Sequence, residues 1–270
     1  MNELVPLGEG VYAWLQDPAR LSNPNAGVVV DEDGITVIDT LLSPAQADPF
    51  VAAVDALGAP VRRIVLTSSH VPFAGGSGRF KLAAVYGTAQ TSAHLDLPPN
   101  VDGYRRLFPD HAAEFDDLRT RTVTHVVTEA NWLTPRVVVA PVRGQMDQNL
   151  VAQVPDANVV FAGAFAAFGV RPLAFEGDPA SWADELARVR DWGVIVVPGT
   201  GEIGGAEELD ALRDYLRACV DARGDVAALT GGPWKDWPQA EFDAVNIERA
   251  AMLSRGDSAP PPSMLRLLGL

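Results

Sequence analysis

Short β-branched runs separated by turn residues fill the first third of the chain: Gly10 to Leu15, Ala26 to Asp31 and Ile35 to Asp39. The last two are joined across Glu32-Asp33-Gly34, and an Asp-Gly pair between apolar runs predicts a hairpin, because both residues tolerate positive φ. Ser43 and Pro44 then supply an N-cap and first-turn pair, and Phe50, Val51, Val54 and Leu57 recur at helical spacing up to Gly58, which predicts an amphipathic helix. Arg63 to Leu66 reads as a buried strand running directly into Thr67-Ser68-Ser69-His70-Val71-Pro72-Phe73-Ala74-Gly75-Gly76. A loop leaving the end of a buried strand is a common place for a site.

Further strands are predicted at Ala83 to Tyr86, Thr122 to Thr128, Arg136 to Ala140, Asn149 to Val154, Val159 to Ala162 and Val194 to Val197. One helix starts at Asp178-Pro179 and carries Trp182, Leu186 and Val189 on one face; another runs from Ala206 to Val220. Strands followed by helices, twice over, predict two packed sheets with helices outside. From Gly224 onward, Gly and Pro clusters with Trp234 and Trp237 read as an irregular extension, in which Phe242, Val245, Ala250 and Leu253 mark a helix packed on the core or on a second subunit. The expected division is therefore a main domain over residues 1–222 and an extension over 223–270.

Composition narrows the range of partners. The 270 residues are 47% hydrophobic, enough for a large core, and 21 Lys and Arg face 35 Asp and Glu for a net charge of −14. Such a surface repels phosphate backbones and anionic headgroups, so neither nucleic acid nor a membrane is expected as partner. The single Cys219 excludes an internal disulfide and reads as a packed thiol in a helix, which fits a reducing cytoplasm. The Met-Asn-Glu-Leu-Val-Pro start lacks a basic region followed by an apolar run, so neither export nor a membrane span is expected.

The segment order, over roughly residues 5 to 222, resembles the metallo-β-lactamase superfamily. The marks that carry the resemblance are Asn25-Ala26-Gly27, Val37-Ile38-Asp39-Thr40, the entry at Thr67 with Gly75-Gly76 beyond it, Phe161-Ala162-Gly163 and Val197-Pro198-Gly199. It implies an α/β fold, a four-layer αβ/βα sandwich of hydrolases and related enzymes, here with a C-terminal irregular and helical extension. It also implies a metal centre built from a His-x-His-x-Asp-His loop, whose imidazoles and carboxylate hold ions that activate water. In this chain that loop falls on Ser68, His70, Pro72 and Phe73; the family's later ligands fall on Gln145, Ala164 and Thr200. Only His70 keeps the family residue. Ala, Pro and Phe offer a metal no lone pair and Ser, Thr and Gln are poor zinc ligands, so no metal and no other cofactor is expected.

His70 is then the sharpest candidate, as an acid or base near neutral pH. With Ser68 two residues away, a nucleophile and base pair can form if the segment is extended, oriented by Asp39 at a neighbouring strand end, with Glu202 as the alternative carboxylate. Ser68 and Ser69 also suit ordinary loop hydrogen bonding, and His70 a bond to a loop carbonyl. Ser69, Gln145, Asp147 and Thr200 are candidate polar contacts to substrate, and Phe73, Met146, Phe165 and Phe168 would make the pocket apolar or fill the space left by metals. His94, His111 and His125 lie outside the matched loops and read as structural or surface residues. Three functions follow. One is a metal-independent enzyme on a small, partly apolar carbonyl or ester-like substrate. The second is a pseudoenzyme binding a small molecule or a protein, and the third a hydrolase with one weakly held metal on His70. The Trp-rich tail is compatible with a homodimer.

Overall fold

The computed structural model describes residues 3–18, 20–229 and 231–270. The first sheet contains β1 (Leu4–Gly8), β2 (Val11–Trp14), β3 (Ala26–Asp31), β4 (Gly34–Ile38), β5 (Val61–Val65), β6 (Ala84–Gly87) and β7 (His125–Val126) in that spatial order. The β1 to β4 pairs are antiparallel and the β4 to β7 pairs parallel. The second sheet has the order β12-β11-β10-β9-β8, from β8 (Asn131–Trp132), β9 (Val138–Val142), β10 (Asn149–Val154), β11 (Val159–Ala167) and β12 (Ile195–Thr200). Only its β11–β12 pair is parallel.

The two sheets face each other across an apolar layer that includes Val29, Ile38, Val65, Leu150, Phe161 and Val197. On the outer side of the first sheet Val28, Val37 and Ile64 pack on Phe50 and Val54 of α1 (Pro44–Asp55). On the outer side of the second, Val151, Val160 and Ala162 pack on α5 (Pro179–Val189) and α6 (Ala206–Asp221) through Trp182, Leu186, Leu212 and Leu216. The result is the four-layer αβ/βα sandwich, with every layer interface closed by residues of period 2 in strands and period 3.6 in helices. The remaining helices are α2 (Val71–Ala74), α3 (Ala89–Leu95), α4 (Val101–Leu107), α7 (Phe242–Leu253) and α8 (Pro262–Leu267).

The sequence pattern misses some elements for definable reasons. β1 carries Pro6, which an edge strand tolerates because it leaves no ladder bond unmade toward a second neighbour. The expected strand over Thr122 to Thr128 is reduced to the two residues of β7, at the sheet edge. β11 runs on to Ala167 through Gly163 and a series of alanines, small residues with weak strand propensity that are buried here on both faces. The tail beyond Gly224 is more ordered than its Gly and Pro clusters suggest: Ile247 of α7 joins the core beneath α5 and α6. No helix among the described residues is long and apolar enough to cross a membrane.

Candidate active site

The ends of β4, β5 and β6 in one sheet meet the β9–β10 connection and the segment after β11 from the other. Between them, and beneath α4 and α8, lies a cavity of about 310 Å³. Its wall is mostly apolar, including Leu21, Leu95, Leu107, Phe108, Leu173, Phe175 and Met264, and its polar groups include Ser69, His70, His94, Gln145 and Glu176. A few convergent polar groups in an apolar hollow of this size are what a small-molecule site requires.

His70 sits at the N-cap of α2 in an extended conformation, with its carbonyl accepting from Phe73 N (2.9 Å) and Ala74 N (3.2 Å). Its ring is held on three sides. Nδ1 lies 2.8 Å from Gln145 Oε1, Nε2 lies 3.1 Å from Glu176 Oε2, and the plane stacks on Phe175 at 5.2 Å between centroids. Gln145 Oε1 accepts only, so Nδ1 carries a proton and Nε2 is the nitrogen turned to the carboxylate. The Nε2 to Oε2 contact is within ion-pair range but poorly aligned, and neither atom has a well-directed hydrogen bond. Burial pushes the His70 imidazole down, and the Glu176 carboxylate with the Gln145 carbonyl overcomes it, leaving the group above its ordinary value. Burial likewise pushes Glu176 up, and His70, with His94 and Arg249 more weakly, brings it below the usual carboxylate range.

The arrangement differs from the expected Ser68-His70-Asp39 relay. Ser68 is fully buried; its Oγ accepts the His70 backbone N–H at 3.0 Å and donates to Met146 Sδ at 3.0 Å, so it does not reach the imidazole ring. Asp39 is also turned away from His70. Thr67 N donates to its Oδ1 (2.8 Å) and Thr67 Oγ1 to its Oδ2 (2.7 Å), while Thr67 Oγ1 accepts from Ala164 N (3.0 Å). Gly163 lets this knot close: it has φ +50°, and a Cβ there would stand 2.3 Å from Thr67 Oγ1. The carboxylate that meets His70 is Glu176. Glu202 is exposed on a separate groove with Pro18 and Phe168, and Asp147 faces another with Gln148 and Asp184.

Of the other candidates, Ser69 and Gln145 line the cavity. Phe73, Met146, Phe165 and Thr200, expected as substrate contacts, are buried in the interior and are not among the residues that line this cavity. Phe73 is wedged against Gly199, where a Cβ would stand only 2.6 Å from its ring. His94, read from sequence as a structural or surface residue, is instead in the cavity wall, with Nδ1 2.9 Å from Ser69 Oγ. His111 pairs with Glu114 and His125 stacks on Tyr86. Neither Glu176 nor His94 carries a motif signal. Both reach the cavity only through the folding of loops distant in sequence.

A metal fits this donor set badly. Among the described residues no three His, Cys, Asp or Glu side chains converge on a point where an ion could sit. His70, the one retained ligand, has each ring nitrogen facing another side chain. Gln145 turns its carbonyl to that ring, while Ala164, Pro72 and Phe73 have no donor to offer.

The chain belongs to the metallo-beta-lactamase superfamily, whose sequence model matches residues 19–191. Its fold is shared with solved metallo-β-lactamases. VMB-1 superposes with a TM-score of 0.63 at 17% identity over 80% of this chain and 96% of that one. The mono-zinc form of FIM-1 from Pseudomonas aeruginosa gives 0.62 at 16% identity over 80% and 95%. A double mutant of the sec-alkyl sulfatase PisA1 gives 0.71 at 14% identity, covering 94% of this chain and 50% of that one. No curated protein matches the sequence.

Proposed function

We propose that this member of the superfamily is a hydrolase-type enzyme that works without the family's dinuclear metal centre. Its substrate is a small, partly apolar carbonyl or ester-like molecule, and His70 is its acid and base. The observation that carries the reading is the His70 ring fixed between Gln145 and Glu176 on the wall of a mostly apolar cavity. A purely structural histidine needs no carboxylate brought to its second nitrogen from a loop more than a hundred residues away, at the cost of desolvating both. Glu176 stabilises the imidazolium at Nε2 and holds the ring at the cavity wall. From there the ring can hand a proton to a leaving oxygen or take one from an attacking group. The net charge of −14 and the carboxylate in the wall disfavour anionic substrates, so uncharged esters and lactones are the first class to try.

The test uses protein purified without a metal-affinity tag, with its metal content measured, on a panel of uncharged esters and lactones of increasing chain length. His70→Asn and Glu176→Gln are expected to lower kcat/KM by about 10²- to 10⁴-fold while the denaturation midpoint moves little. Unaltered turnover in His70→Asn, or activity that rises and falls with bound metal, would overturn this reading. Absence of any turnover together with thermal stabilisation by apolar small molecules would leave a binding protein in its place.

A further inference from the structure

Resting on the reading of this cavity as a hydrolytic site, we infer that Ser69 is a covalent nucleophile with His94 as its base, forming an acyl-enzyme with uncharged esters of apolar acids. Ser69 occupies a position that the family's His-x-His-x-Asp-His loop leaves without a ligand role, so a new side-chain function there displaces nothing. Its Oγ is 2.9 Å from His94 Nδ1, the spacing at which an imidazole removes a hydroxyl proton. The neighbouring Ser68 is fully buried, with its Oγ taken by the His70 backbone N–H and by Met146 Sδ at 3.0 Å, whereas Ser69 Oγ has a longer 3.5 Å contact to Met146 Sδ beside its His94 bond.

The geometry of the pair is built in by the fold. His94 lies in the last turn of α3, and α3 is tied at its start to the loop that carries Gln145. Thr88 caps the helix and donates to Gln148 O at 3.1 Å, and Gln90 and Gln148 exchange backbone and side-chain bonds at 2.9 and 3.3 Å. That reciprocal clamp fixes His94 and Gln145, and through Gln145 the His70 ring, in one frame. Ser69 is buried at the cavity wall whereas His94 is open to solvent, which gives the base's proton a path to water. Leu95 and Phe108 of the same wall supply the apolar surface against which an acyl chain would lie.

In the first step the Ser69 hydroxyl proton passes to His94 Nδ1 as Oγ bonds to the ester carbonyl carbon and the carbonyl electron pair moves onto oxygen. Collapse re-forms the carbonyl and breaks the bond to the leaving oxygen, which takes a proton from His70. Water then gives one proton to His70 and bonds to the acyl carbon, the bond to Oγ breaks, and Ser69 takes its proton back from His94. Ester and water become acid and alcohol, with the protein unchanged.

An alkyl fluorophosphonate, which reports a nucleophilic serine without needing the natural substrate, separates this step from the acid-base role of His70. Intact mass and peptide mapping are expected to show one phosphonyl group on Ser69 in the wild type and in Ser68→Ala, and none in Ser69→Ala. His94→Gln, at an exposed position that leaves folding intact, is expected to slow labelling by at least about 100-fold. His70→Asn should label within about tenfold of wild type while losing ester turnover. Labelling at another residue, or ester hydrolysis that persists in Ser69→Ala, overturns the nucleophile and leaves His70 acting directly on water. Absence of both labelling and hydrolysis overturns the nucleophile and the hydrolytic reading together.

Discussion

At the scale of single residues the most consequential placement is Asp39, which reads from sequence as a partner for His70 and in the fold is a structural acid. It sits at φ +61° with both oxygens on Thr67, fully out of solvent. Burial lifts its carboxyl from 3.8 to about 7, with the two Thr67 donors pulling the other way. Between those values the folded chain keeps a proton that the unfolded chain has released. The stability this contributes is therefore complete below about pH 4 and is lost as pH rises through 7. At about 1.4 kcal/mol per pKa unit the loss is on the order of 4 kcal/mol at most. Asp39→Asn carries no ionisable group, so urea midpoints taken from pH 4 to pH 8 should show the wild type losing stability relative to the variant across that range. Parallel pH profiles for the two proteins would show that Asp39 does not titrate there. The sequence does mark Asp39 and His70 as the chemically unusual residues of the loops. It does not say which carboxylate meets which ring, because that depends on a side-chain direction set by a left-handed backbone residue and by Gly163 on another strand.

At the scale of elements, the cavity depends on a helix that the family resemblance does not reach. Arg249 of α7 is buried and donates from Nη2 to Glu176 O (2.8 Å), from Nε to Gly177 O (3.0 Å), and from Nη1 to Ser258 O (3.0 Å) and Ala259 O (3.3 Å). Three residues earlier, Asn246 Nδ2 donates to Pro172 O and its Oδ1 accepts from Ala174 N, both at 2.8 Å. The segment bearing Leu173, Phe175 and Glu176 has no strand or helix of its own, and α7 supplies the hydrogen bonds it would otherwise lack. Arg249→Met should thus cost about 1–3 kcal/mol for each carbonyl left without a donor, and lower kcat/KM more than Arg266→Ala, which removes only an exposed ion pair with Glu248. Equal effects of the two substitutions on denaturation and turnover would mean that α7 does not hold the cavity wall in place. Periodicity identifies the strands and helices that bury one face, and with them the sandwich. It gives no signal for an irregular segment held by polar side chains of a distant helix, which is why Phe242, Val245, Ala250 and Leu253 are visible as a helix in the sequence while the task of Arg249 is not.

At the scale of the whole molecule, the two sheets must be joined where relatives of this fold can place metal between them. In this chain hydrogen bonds span that gap. Thr67, just beyond β5, accepts at its carbonyl from Leu150 N and Asn149 Nδ2 of β10, both at 3.0 Å, and at its hydroxyl from Ala164 N of β11. Asn25, just before β3, donates from its backbone to Gly199 O (2.8 Å) and from its side chain to Pro198 O (3.0 Å) and Gly201 O (2.8 Å) around the end of β12. These side chains are buried, so each bond also prevents the cost of an unpaired polar atom. Phe73, at one of the family's ligand positions, and Met146, whose sulfur lies 3.0 Å from Ser68 Oγ at another, add buried apolar contact there. Under the proposed metal-independent reading, this seam alone keeps the sheets together. Incubation with a strong chelator should accordingly leave the thermal midpoint where it was. Thr67→Val, which keeps the shape but loses the hydroxyl, leaves Ala164 N without an acceptor and one Asp39 oxygen without its donor, and should destabilise by about 1–3 kcal/mol for each. A chelator that lowers the midpoint as much as Thr67→Val does would mean that an ion, and not this hydrogen-bonded seam, holds the sheets at the site.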